Sequence, residues 1–306
     1  MANDIVVVGS MNVDITMRTP GFPEPGETLR ASDVTLGPGG KGLNQAIAAA
    51  RLGARVCMVG SVGDDALAEV ALRAAMDAGV DTSHVARAKD ATTGAASIVV
   101  DENSGENAIV VAGGANGLLS PAHVQLAEDM FRNAKVLLVQ LEAPDETVDA
   151  ALDMATQHGL TKVLDPAPFR VLSDDILRKV DVLTPNQSEA SRLVGFDVTD
   201  TESAVRASRS LLSRVNGNVV ITLGVFGCLW ASASGEMHFE AQLVESVDST
   251  GAGDAFNGAL AQAIASDCSM IDALTQAVTA GTLSTLGHGA APSMPTRSEV
   301  DSLIDR

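Results

Sequence analysis

The stretch "ARVCMVGSVGDDALAEVALRAAMDAG", residues 54–79, holds a strand and a helix back to back. Residues 54–63 are a short run of Val, Met and Cys closing on glycine, the composition of a strand covered on both faces. Residues 64–79 turn amphipathic. Acidic side chains come first and Gly79 last, where a helix dipole and a C-cap favour them. The couplet recurs. "IVVVG" (5–9) reads as a strand and "KGLNQAIAAARLG" (41–53) as a helix. Then come "AKVLLVQL" (134–141), a helix over 145–158, "TKVLDP" (161–166) and "VDVLTP" (180–185). Helices over 186–194 and 201–214 lead to "NVVITLG" (218–224), and helices over 252–266, 270–286 and 296–305 close the chain. Strands alternating with helices predict a mostly parallel, doubly wound α/β sheet.

Two regions break this rhythm. Residues 12–36 and 92–112 carry strand and turn signals but no helix. Residues 93–112 read as a β-hairpin around the polar turn "DENSGEN". Such segments suit a small β-flap over the carboxyl ends of the strands, where doubly wound folds bind ligands. No linker, repeat or low-complexity tract interrupts residues 1–306, so a single domain is expected.

Composition narrows the function. Hydrophobic residues make up 46% of the 306 and charged residues 19%, which suits a globular chain with a sizeable core. Aromatics are only 3%, so the core is built from Ala, Val, Leu and Ile. A formal charge of -19 argues against nucleic acid and anionic membranes, which are bound through Lys and Arg. Cys57, Cys228 and Cys268 are far apart, form no CxxC pair and read as small buried hydrophobes. The first ten residues signal a strand, and no apolar run approaches the ~20 residues of a membrane span. A cytoplasmic protein is expected, and there the sequon at 186–188 means nothing.

Five stretches can carry chemistry. "DSTGAGDAFNG" (248–258) meets neither the dinucleotide fingerprint nor the Walker pattern. Apolar residues then recur at helical spacing from Ala252 to Ile264, so Gly251–Asp254 sits at a helix N-terminus. Free N–H groups there hold anions, and glycine lets a phosphate approach. Asp254 is either a first-turn acid stabilising the dipole or a proton acceptor beside an anion hole. "GPGGKGLNQA" (37–46) is a second glycine-rich turn into a helix, with Lys41 and Asn44 as polar contacts. In "SMNVDI" (10–15), Asn12 and Asp14 alternate, so both point to one side of an extended segment. In "TPNQSE" (184–189), Asn186 and Glu189 fit a capping box or a magnesium-phosphate contact equally well. "TLGVFG" (222–227) is a glycine-bracketed turn, plain or bordering a nucleotide.

Together and in this order, these stretches resemble the ribokinase family of sugar and nucleoside kinases. The resemblance spans essentially the whole chain. It rests on Gly39, Gly40, Gly42, Asn44, Gly53 and Gly63 near the N-terminus and on the D-x-x-G-A-G-D turn, Asp248 to Asp254. It implies a three-layer α/β fold with a small β-sheet lid, and transfer of the ATP γ-phosphoryl group to a primary hydroxyl. Asp254 would be the base, and the backbone of Gly251, Ala252 and Gly253 the anion hole. Asn186 and Glu189 would serve phosphate and magnesium. Thr222, Leu223, Gly224 and Gly227 would border the nucleotide, with Gly253. Asn12, Asp14, Gly40, Lys41, Asn44 and Glu142 match positions that hold sugar hydroxyls, which points to D-ribose and its 5-hydroxyl. Other pentoses, deoxyribose and nucleosides are the alternatives within the family, and a non-catalytic sensor the alternative outside it. The resemblance further implies a monovalent cation, usually potassium, near Asp248, Thr250, Ser284, Gly287, Gly289 and Ser293, and a homodimer formed through the lid. In one place the chain departs from the family. Where a His or Asn often faces the adenine, it has Val278 or Thr279.

Overall fold

A computed structural model describes residues 4–305. Nine strands form the central sheet: β1 (Ile5–Val8), β4 (Val56–Gly63), β5 (Asp81–Ala88), β8 (Val136–Gln140), β9 (Thr161–Asp165), β10 (Val182–Leu183), β11 (Asn218–Thr222), β12 (Cys228–Ser232) and β13 (Gly235–Phe239). Their order is β13-β12-β11-β10-β9-β8-β1-β4-β5. All neighbours from β11 through to β5 pair in parallel; β12 and β13 add an antiparallel edge.

Helices cover both faces, giving three layers. β1 shows why: Ile5 and Val7 pack into one core cluster, Val6 and Val8 into the other. A strand with period two and apolar residues at every position needs cover on each side. One face carries the helices Lys41–Arg51, Ala66–Asp77, Ala252–Ala265 and Met270–Ser284, and the other carries Asp145–His158 and Thr201–Leu212.

The first of these helices, Lys41–Arg51, is buried almost all round, from Gly42 to Ala49. It lies against Ala252–Ala265, and the contact is close at Gly258. A Cβ there would fall 2.5 Å from the Ala48 Cβ and 2.7 Å from the Gln45 carbonyl oxygen, so only glycine fits.

The second sheet has four strands in the order β3-β2-β6-β7: β2 (Asn12–Thr19), β3 (Asp33–Gly39), β6 (Gly94–Asp101) and β7 (Asn107–Ala112). β6 and β7 form the expected hairpin, while β2 pairs parallel with β6. β3 runs three residues beyond the expected limit of 36, because Pro38 and Gly39 still pair with Val13 and Asn12. β5, β12 and β13 are elements that the periodicity did not single out, and the helical segment Pro121–Phe131 is another. The strand expected over 180–185 shrinks to the two residues of β10. Cys57 and Cys228 are buried and Cys268 partly so. Among the described residues, no helix is long and apolar enough to cross a membrane.

The sheet order reverses around β1, with β4 on one side and β8 on the other. Ligands gather outside the carboxyl ends of strands at such a switch point. Ser10, Glu142, Asp165 and Asn186 all lie at or just past the carboxyl ends of β1, β8, β9 and β10.

Candidate active site

Asp254 stands in the first turn of the helix Ala252–Ala265 and is only 6% exposed. No side chain caps this helix. Its N-cap, Gly251, has φ +80°, and a Cβ there would lie 2.6 Å from the Ala290 Cβ. Glycine is therefore required both by the backbone and by the neighbour. The Ala252 N–H turns back to the Ser249 carbonyl at 3.2 Å.

Two amides from the helix Lys41–Arg51 hold the Asp254 carboxylate. Asn44 Nδ2 donates to Oδ2 at 2.9 Å, and Gln45 Nε2 donates to Oδ1 at 3.0 Å. Gln45 also donates to Asp165 Oδ2 at 2.8 Å and accepts from Gln140 Nε2 at 2.6 Å. Asn44 Oδ1 is buried without a partner.

Lys41 sits among carboxylates. Burial opposes its charge, but Asp254, Asp165, Glu142 and Glu189 together hold the ammonium above the usual lysine range. Burial also pushes Asp165 up to about 8, with Glu189 and Asp254 adding to the rise and Lys41 working against it. Asp14 is pushed up to about 7, first by burial and then by the charges of Glu142 and Asp254.

Glu142 has a structural task as well. It accepts from the Lys41 N–H at 2.9 Å and from the Ser10 hydroxyl, so it caps the helix Lys41–Arg51 at its amino end. Asn12 is held by Asn116, whose Nδ2 donates to Asn12 Oδ1 at 2.6 Å while its Oδ1 accepts from the Met11 N–H. Asn186 and Glu189 make the full capping box, each side chain accepting the other's backbone N–H at 2.9 and 2.8 Å. Burial raises the Glu189 carboxyl above its ordinary value, against the hydrogen bond from Asn186.

Two cavities adjoin the turn before Asp254, with Ala252 and Gly253 lining the first and Asp248 and Thr250 the second. The first, about 410 Å³, is walled by Thr222, Gly224 and Gly227 after β11, by Ala252 and Gly253, and by Val278, Gly281 and Thr282 of the helix Met270–Ser284. Leu223 is not on its wall; its side chain lies in the core and its N–H bonds the Gly227 carbonyl. Val278 faces this cavity, whereas Thr279 turns its hydroxyl back to the Thr275 carbonyl. The second cavity, about 550 Å³, opens between the second sheet (Asp14, Thr16, Gly37, Ile98) and Asp248, Thr250 and Gly289.

Asp248 ties its surroundings together. One oxygen accepts from the Thr250 N–H and the other from the Gly289 N–H, each at 2.9 Å. Burial alone would raise its carboxyl, but these N–H donors and the Thr250 side chain hold it below the ordinary value. The Ser293 hydroxyl donates to the Gly289 and Ala290 carbonyls, and that of Ser284 to Gly281. Gly287 lies against Ser293.

Gln45, Gln140, Asp165 and Asn116 also belong to the site. Gln45 lies in the glycine-rich stretch 37–46 but was not singled out there, while Gln140, Asp165 and Asn116 belong to none of the glycine-rich motifs. For Gln140 and Asp165 the signal was a polar residue ending an apolar run, "VLLVQ" and "TKVLD".

An uncapped helix N-terminus beside a cavity, carrying a buried carboxylate on a doubly wound sheet, is an arrangement suited to phosphoryl transfer. The model of the pfkB family of carbohydrate kinases matches residues 2–297, and the chain belongs to that family. It is 38% identical to ribokinase from Haemophilus influenzae, covering 100% of this chain and 99% of that one. It is 36% identical to a deoxyribokinase from Salmonella typhi over 98% of both. The structure of Arabidopsis thaliana ribokinase complexed with ribose and ATP superposes with a TM-score of 0.92 at 31% identity, over the full length of both chains.

Proposed function

We propose that this kinase transfers the γ-phosphoryl group of ATP to the 5-hydroxyl of D-ribose, giving D-ribose 5-phosphate. The observation that carries this is the place of Asp254: a buried carboxylate held by Asn44 and Gln45, one residue past Gly253, which lines the first cavity. The nucleotide fits the first cavity, its phosphates directed at the uncapped helix end. The sugar would lie against Asp14, which lines the second cavity, with Asn12, Gly40, Lys41, Asn44 and Glu142 as the further groups that hold it. The partnerless Asn44 Oδ1 is ready to accept a sugar hydroxyl, since a buried carbonyl oxygen left unpaired costs about 1–3 kcal/mol.

The hydroxyl is a far weaker acid than Asp254. The carboxylate therefore takes the proton as the new P–O bond forms, not before. Gly251, Gly253 and Ala252 present their N–H groups to the moving charge, Ala252 exchanging the Ser249 carbonyl for a phosphate oxygen. Lys41 offsets the local negative charge. Magnesium fits beside Glu189, a carboxylate with one oxygen still free, and when bound neutralises phosphate oxygens. Asn186 faces the same phosphates.

A potassium ion fits the loops that Asp248 fastens. Its ligands there would be backbone carbonyls and the oxygens of Asp248, Thr250, Ser284 and Ser293, with Gly287 and Gly289 giving room. The second sheet acts as the lid, excluding water over the sugar. Its exposed apolar edges, β3 and β7, suit a homodimer formed lid to lid. Use of ATP supports a cytoplasmic location.

Deoxyribose is the second reading, favoured by the 36% identity to a deoxyribokinase. An ADP-release assay over pentoses, deoxyribose, hexoses and nucleosides, with and without potassium, decides. Ribose should give the highest kcat/KM. Faster turnover of deoxyribose would move the substrate assignment, and no turnover of any sugar would remove the kinase assignment.

A further inference from the structure

Gln45 is fully buried and stands outside the groups assigned to sugar, phosphate or metal. Its amide makes three hydrogen bonds: Oε1 accepts from Gln140, and Nε2 donates to both Asp165 Oδ2 and Asp254 Oδ1. A primary amide has two N–H bonds, so both are used. The amide orientation is forced as well, because a flipped group would turn its oxygen toward two carboxyl oxygens.

We propose that Gln45 is a positioning residue for the phosphoryl transfer, clamped between Gln140 and Asp165 so that its second N–H aims the Asp254 carboxylate. This rests on Asp254 being the base. Asn44 takes the other carboxylate oxygen, at 2.9 Å. Two donors from neighbouring positions of one helix thus fix the plane of the carboxylate. A base must present a lone pair to the hydroxyl within narrow limits, and a misplacement of ~1 Å can cost about a hundredfold in rate.

Asp165 is the far end of the clamp. Lys41, Glu189 and Asp254 are the charged groups that act on it, and burial pushes its carboxyl up to about 8. Burial thus favours its uncharged form, whose carbonyl oxygen still accepts from Gln45. Above that value it becomes an anion and competes with Asp254 for the same amide.

The test is kcat and KM for D-ribose and ATP, from about pH 6 to about pH 9.5, in wild type, Gln45→Leu, Asp165→Leu and Asp165→Asn. Gln45→Leu should lower kcat about a hundredfold while both KM values stay within about threefold. Asp165→Leu should lower kcat too, and Asp165→Asn, which keeps an acceptor for Gln45, should restore it. Asp165→Asn should also remove a wild-type fall in kcat above pH 8. Wild-type kcat in Gln45→Leu, or a loss carried by KM, would overturn the proposal. So would wild-type kcat in Asp165→Leu, which decides alone if Gln45→Leu does not fold. Wild-type protein that turns over no sugar sinks the kinase assignment and this proposal together. Turnover with a silent Gln45→Leu sinks only the positioning role.

Discussion

Asn44 Nδ2 donates to Asp254 Oδ2 at 2.9 Å although 210 residues separate them in the chain. One residue belongs to the first glycine-rich turn and its helix, the other to the last. The two motifs meet as a hydrogen bond, and the fold exists in part to bring them there. Both side chains are buried, so the bond is made in a low-dielectric setting where it is stronger than in water.

Asp254→Asn keeps the size of the side chain and removes the proton acceptor. Turnover should fall by roughly 10²–10⁴-fold, the usual range for a general base. Sugar affinity measured by calorimetry should stay near that of wild type. Turnover within about threefold of wild type would show that proton transfer runs elsewhere.

Asp14 gives a pH dependence with a definite sign. Its carboxyl stands at about 7 in the free protein, through burial first and the charges of Glu142 and Asp254 next. Sugar hydroxyls donate best to the ionised form. Affinity for sugar should therefore strengthen as pH rises through about 7 and level off above it. Asp14→Asn should flatten the curve. Affinity that weakens over the same rise would contradict the assignment of Asp14 to the sugar.

Gly251→Ala combines two penalties, a φ of +80° and a Cβ 2.6 Å from that of Ala290. Stability should drop by about 1–3 kcal/mol. Turnover should fall further than stability alone explains, because the first turn of the helix Ala252–Ala265 must shift. Thermal unfolding and steady-state kinetics on one preparation separate the two effects.

The lid strands leave large apolar side chains in solvent: Val110 is 73% exposed, and Val34, Leu36 and Val111 more than half. A dimer formed there would cover them. Val110→Asp should shift sedimentation equilibrium toward the monomer and leave the fold intact by circular dichroism. A wild-type protein that sediments as a monomer at micromolar concentration would remove the dimer from the proposal.

The strand–helix alternation was legible because a sheet covered on both faces needs mostly apolar strands, and β1, β4 and β8 are buried throughout with only Ser61 and Gln140 polar. β12 and β13 were not, because the edge hairpin has one exposed strand and follows a turn that drew attention to itself. Asp254, Asn44 and Lys41 were readable from the glycines around them. Gln45 is next to Asn44 in sequence, yet its partners lie 95, 120 and 209 residues away. Nothing local distinguishes it from any helical glutamine. Its role exists only in the packed structure, and so does that of Asn116, which reaches Asn12 across 104 residues. Leu223 shows the converse: it sits inside a motif, but its side chain lies in the core.

Gly258 stands one helical turn after Asp254 and touches the helix that carries Asn44 and Gln45. Its missing side chain works as a gauge between two rods. The gap it sets is also the reach across which two amides meet a carboxylate. One methyl group at that point, without touching sugar or nucleotide, would act as a shim under the catalytic geometry.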